Sequence, residues 1–213
     1  MADNDMWTIK AALDWTIGFL ERKGDENPRL SAEWLMSEAT GLSRIELYVN
    51  FERPLTLDER ATLRDFVARR GKGEPLQLIS GKVPFRYITI LVAPNVLIPR
   101  PETEVLVSEA FAELNLPRVA DHVAAGENGE EVVSPELPEL RVVDLCTGSG
   151  CIACSIASEY PAAHVVALDI APEALALASK NVEVLGLGNR VEVLEPQGNN
   201  APQGGNKPQG NNA

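Results

Sequence analysis

Apolar residues recur at helical spacing from the start of the chain: Trp7, Ala11, Leu13, Trp15, Ile17 and Leu20 predict a first helix, which Gly24 breaks. Pro28 suits the first turn of a second helix through Leu30, Trp34, Leu35 and Ala39, and Gly41 is placed to end it in the left-handed conformation. Ser43 with Glu46 and Thr56 with Glu59 each show the S/T-x-x-E pattern, in which two side chains satisfy free amides at a helix start. Four helices ending near Gly71 are therefore expected, a helical domain over residues 1–73.

From Glu74 the period shortens. LQLIS and YITILV, separated by Gly81 and Pro84, predict a β-hairpin connector over 74–100. Pro101 can open a further helix, continued by ETEVLVSEAFAEL. Residues 115–139 lose the apolar pattern and gather Asp121, Glu127, Glu130, Glu131, Glu136 and Glu139 among glycines and prolines, as a solvated linker or insertion would. Then LRVVDL, CIACSIASEY, HVVALDI, PEALALASKNVEVLG and RVEVLE alternate strand and helix. That order predicts a parallel sheet with right-handed crossovers in an α/β domain over 101–195. After Glu195 a six-residue repeat, PQGNNA, PQGGNK, PQGNNA, carries no large apolar side chain and is expected to be a disordered tail over 196–213.

Composition narrows the functional classes. With 45% hydrophobic and 23% charged residues, most of the 213-residue chain can bury a core. The formal charge of −12, from 31 acids against 19 bases, repels a phosphate backbone and argues against direct nucleic-acid binding. No apolar run reaches the roughly 18 to 20 residues a membrane helix needs, and the opening MADNDMWTIK lacks the basic and apolar regions of a signal peptide. The expectation is a cytoplasmic protein with no membrane partner. The three cysteines all lie between Cys146 and Cys154, too close together to staple a fold.

The chemistry concentrates in VVDLCTGSGCIACS, residues 142–155. Cys146, Cys151 and Cys154 match three of four ligands of an iron–sulfur spacing, but no fourth cysteine exists; the thiols read better as structural, with no metal. Gly148, Gly150 and Ala153 satisfy G-x-G-x-x-A between a strand and a helix, with Asp169 ending the next strand, which fits a nucleoside-containing cofactor. Asp144 separates the candidates. A carboxylate there would repel a dinucleotide pyrophosphate, whereas the sulfonium and amino group of S-adenosylmethionine would be attracted. Plain structural roles remain open beside these: Asp144 capping loop amides, and Asp169 as an acid at the next helix start.

LIPRPETEVLV at residues 97–107, followed by VVDLCTGSG and VVALDI, resembles the HemK/PrmC family of peptide chain release factor N(5)-glutamine methyltransferases, over about Met6 to Glu195. The resemblance implies a small helical domain joined to a partial class I, Rossmann-like methyltransferase domain. It implies S-adenosylmethionine bound by Asp144, Cys146, Thr147, Gly148, Ser149, Gly150 and Asp169. It also implies an active-site border at Arg100, Glu102, Thr103 and Glu104, and a release factor as protein partner engaged in part by the helical domain. Cys146 stands where many members have glycine. The family's Asn-Pro-Pro-Tyr motif, which holds the substrate glutamine, occurs nowhere in these 213 residues, so no catalytic residue is assigned and a C-terminally truncated, inactive or impaired monomer is expected. Two other readings stay open: another class I methyltransferase acting on nucleic acid or a ribosomal protein, and a non-enzymatic fragment that binds the release factor.

Overall fold

The computed structural model describes residues 7–116 and 137–196; the acidic insertion expected over 115–139 falls mostly outside them, as does the tail beyond 196. Four helices form where the apolar spacing predicts them: α1 (Ile9–Arg22), α2 (Pro28–Thr40), α3 (Arg44–Val49) and α4 (Leu57–Arg70). Their boundaries follow local chemistry. Gly41 ends α2 at φ 71°, and both capping boxes close, Ser43 with Glu46 and Thr56 with Glu59. The buried stripes of these helices, including Ile9, Leu13, Leu20, Leu35, Met36, Leu63 and Val67, make one core.

The segment LQLIS corrects the sequence reading, because it forms a helix, α5 (Leu76–Ser80), and not the first strand of the hairpin. Pro75 occupies its N-cap and Gly81 ends it at φ 72°. Ile79 is buried in the core of the four preceding helices, so tertiary burial overrides the β-propensity of a five-residue segment with three apolar side chains. The hairpin lies one step further on, β1 (Lys82–Phe85) paired antiparallel with β2 (Ile88–Leu91). Val83, Phe85 and Ile90 face the second core, so the hairpin packs with the sheet.

That second core lies between the hairpin, α6 (Pro101–Glu113), and a three-stranded parallel sheet: β3 (Leu140–Leu145), β4 (Ala163–Leu168) and β5 (Val191–Leu194), in that spatial order. The crossovers are α7 (Cys151–Glu159) and α8 (Pro172–Val184). Val143 aligns with Val166, and Leu145 with Leu168, which aligns with Leu194 on β5. Parallel sheets normally bury both faces. Here Val143 and Leu145 are 60% and 69% exposed, so the edge strand β3 presents an apolar face among the described residues.

A buried ion pair fixes the hairpin tip. Arg86, at φ 51° in the turn, meets Glu159 at the end of α7 through two bonds of 2.5 and 2.6 Å. It also donates to the Glu104 carbonyl (2.9 Å) and to Ser108 on α6, while Ser155 donates to Glu159 at 2.6 Å. One side chain thus ties together hairpin, α6 and α7.

Candidate cofactor site

The site is built on the carboxyl ends of β3 and β4, where open parallel sheets place their ligands. Asp144 lies one residue before the end of β3 and is 7% exposed. Its carboxylate accepts the Thr147 hydroxyl at 2.6 Å. Burial raises its proton affinity above the ordinary carboxylate range; the Thr147 hydroxyl and the Ala153 amide oppose this, and the nearby Asp169 charge adds to it. The turn from β3 into α7 needs left-handed residues at three places: Cys146 at φ 59°, Gly148 at φ 58° and Gly150 at φ 77°. A Cβ on Gly150 would stand 3.1 Å from the Cβ of Ala178 on α8, so this glycine also permits close helix packing.

The Thr147 amide bonds the Leu168 carbonyl at 2.9 Å, docking the loop on the end of β4. Asp169 follows that strand and grips the same loop. One carboxylate oxygen accepts the Gly148 amide (2.9 Å), the other the Ala171 amide (3.0 Å), and these bonds, Ala171 first, hold its carboxyl below the ordinary range. Each oxygen retains a lone pair for a further donor. Next to it Ile170 is 79% exposed, an apolar surface beside a polar anchor.

The structure thus brings Asp144, Cys146, Thr147, Gly148, Ser149, Gly150 and Asp169 into one loop cluster. Arg100 is the N-cap of α6, with Glu102 and Glu104 in the first turn. Arg100 and Glu102 are exposed, Thr103 and Glu104 half-buried. Cys151 and Cys154 are buried on α7, where burial raises both thiols, Cys154 to about 12. Cys146 is exposed. Among the described residues no three potential metal ligands cluster, and no helix is long and apolar enough to cross a membrane.

Three contributors escaped the sequence reading. Asn181 is fully buried beneath the loop and bonds the Ser149 carbonyl at 2.9 Å. Its signal was present, since it falls on the apolar stripe of α8 with Ala174, Leu177, Ala178 and Val182. Arg86 carried no turn signature in PFRYIT, and Ile170 reads only as the end of an apolar run.

Residues 11–81 match the family model of the PrmC N-terminal domain, and residues 142–208 match a methyltransferase domain model. The chain is 46% identical to the release factor glutamine methyltransferase of Geobacter sulfurreducens over 179 residues, 84% of this chain and 55% of the relative. It is 41% identical to that of Rhodopirellula baltica over 89% of this chain and 58% of the relative. With that of Chlorobaculum tepidum it shares 36% identity over 92% and 61%. It therefore spans a little over half the length of these curated relatives. A solved human methyltransferase 10 domain containing protein aligns at 17% identity over 51% of this chain and 45% of that chain, with a TM-score of 0.37, too slight a likeness to bear on the site. By its N-terminal domain, its methyltransferase domain and its relatives, the chain is similar to release factor glutamine methyltransferases over most of its length.

Proposed function

We propose that the chain holds S-adenosylmethionine at the loop Cys146–Gly150 and serves the methylation of a glutamine side-chain nitrogen in a peptide chain release factor. The observation that carries the cofactor reading is a pair of carboxylates, Asp144 and Asp169, flanking a glycine turn whose five residues include no cation. Such a site attracts a cationic nucleoside and repels a pyrophosphate. The Asp169 oxygens, each with one lone pair left, fit two ribose hydroxyls, and exposed Ile170 fits the apolar face of a base.

When bound, S-adenosylmethionine supplies an electrophilic methyl group on a sulfonium. The chain's own residues orient and screen it. Asp169 fixes the ribose, Asp144 keeps Thr147 and the loop in place and faces the positive charge, and Arg100, Glu102, Thr103 and Glu104 border the approach of the glutamine. The helical domain engages the release factor, in the cytoplasm and as a monomer. Positioning of the nucleophile supplies much of the rate in such transfers.

Methyl-labelled S-adenosylmethionine and unmodified release factor test this together. We expect cofactor retained in equilibrium dialysis and release factor retained on the immobilised chain. Loss of either retention overturns the corresponding half of the proposal.

A further inference from the structure

Helix α8 carries one polar residue on an otherwise apolar buried stripe, and every side-chain bond it makes leaves the helix. The Asn181 Oδ1 accepts the Leu91 amide at 2.7 Å, and its Nδ2 donates to the Leu91 carbonyl at 3.0 Å and the Ser149 carbonyl at 2.9 Å. Both amide hydrogens are used and the oxygen is occupied. Towards Leu91 the side chain acts as a neighbouring strand would, pairing N–H and C=O on the outer edge of β2. A buried amide costs stability relative to an apolar side chain unless fully paired. Pairing is complete here, and it joins two segments far apart in sequence.

Packing converges on the same place. One turn earlier on α8, Ala178 lies against Gly150, and from the other side Val96, just beyond β2, comes within 3.9 Å of where a Cβ on Gly148 would stand. The loop is therefore held between α8 and the segment that runs from the hairpin towards Arg100.

We infer that Asn181 is a positioning residue that couples the cofactor loop to the hairpin, so that the two segments hold or lose their geometry together. The inference rests on the reading of this loop as the cofactor site. It implies that occupancy of one side, cofactor at Gly148–Gly150 or substrate along Val92–Glu104, is felt at the other through a single amide.

Two substitutions in the 213-residue chain test it. Asn181→Asp keeps the acceptor for Leu91 and sets a carboxylate oxygen against two carbonyls; Asn181→Leu fills the volume without bonds. Amide exchange is read at Gly150 and Val92, which bond Thr147 and Gly81 and not Asn181. S-adenosylhomocysteine affinity is read by calorimetry, well below the unfolding midpoint. In both variants we expect exchange to accelerate at both amides together and the affinity to fall at least tenfold, with unchanged far-ultraviolet circular dichroism. A leucine variant that binds as the parent does, or either variant loosening only one of the two amides, overturns the coupling. If the parent chain itself fails to bind S-adenosylhomocysteine, the cofactor reading falls, and the paired exchange rates alone decide the coupling.

Discussion

Replacing Glu159 by glutamine removes one charge from the pair that fastens the hairpin tip, with almost no change in volume. Arg86 is 10% exposed and Glu159 6%, so neither charge is well solvated once the other is gone. Breaking a buried pair from one side costs about 3–5 kcal/mol, because the remaining charge stays desolvated. The low end applies, since Arg86 keeps the Glu104 carbonyl and Ser108 as acceptors. For a chain of this size about 3 kcal/mol corresponds to a midpoint lowered by roughly 6–12 °C. Thermal unfolding followed by circular dichroism, with Glu183→Gln as the control, measures it. The Glu183 partner, Lys180, is exposed, as is Glu183 itself, and that substitution should leave the midpoint in place. The double variant Arg86→Leu/Glu159→Leu should recover most of the loss, because it strands no charge. A Glu159→Gln midpoint no lower than that of Glu183→Gln would refute the assignment of Arg86–Glu159 as the fastening.

Cys146 holds φ 59° without being glycine; Cys146→Gly relieves a left-handed cost of about 1–2 kcal/mol, partly offset by the entropy of the unfolded glycine, so the midpoint should rise by a few degrees, and a fall would contradict the strain. Burial raises the Asp144 carboxyl, so the folded chain takes up that proton more readily than the unfolded one. Its contribution to stability is complete below the unfolded value of about 3.9 and is lost as pH rises through the higher folded value, while that of Asp169, held low by the Ala171 and Gly148 amides, is present above about 3.9 and lost only in stronger acid. Carboxyl titration by nuclear magnetic resonance should therefore find Asp144 above and Asp169 below the ordinary value, with S-adenosylmethionine affinity declining as acid protonates Asp144; the reverse order would contradict the electrostatics of the site.

Much of this was legible because local rules and burial agreed. The capping boxes at Ser43 and Thr56, the prolines opening α2, α6 and α8, and the strand–helix alternation after Leu140 each have a local cause that tertiary packing reinforces. LQLIS reads as a strand because a five-residue segment with three apolar side chains carries no period long enough to separate strand from helix, and the burial of Ile79 among α-helices decides the matter. At the site, the glycine turn and both aspartates were readable from their spacing, although the bond between Asp169 and the Gly148 amide was not. The partnership of Asn181 with Leu91 spans ninety positions, and that of Arg86 with Glu159 seventy-three. Polar pairs at such separation leave no trace in local periodicity, beyond a lone asparagine on an apolar stripe.

On the proposed function, Asp169 and the loop it grips form a nucleoside site. Calorimetric titration of the chain and of its Asp169→Ala variant with S-adenosylhomocysteine, with NAD as a competitor, tests it most directly. One-to-one binding by the parent chain, at least tenfold weaker binding by the variant and no displacement by NAD are expected. Equal affinity in the two proteins, or displacement by the dinucleotide, would contradict it.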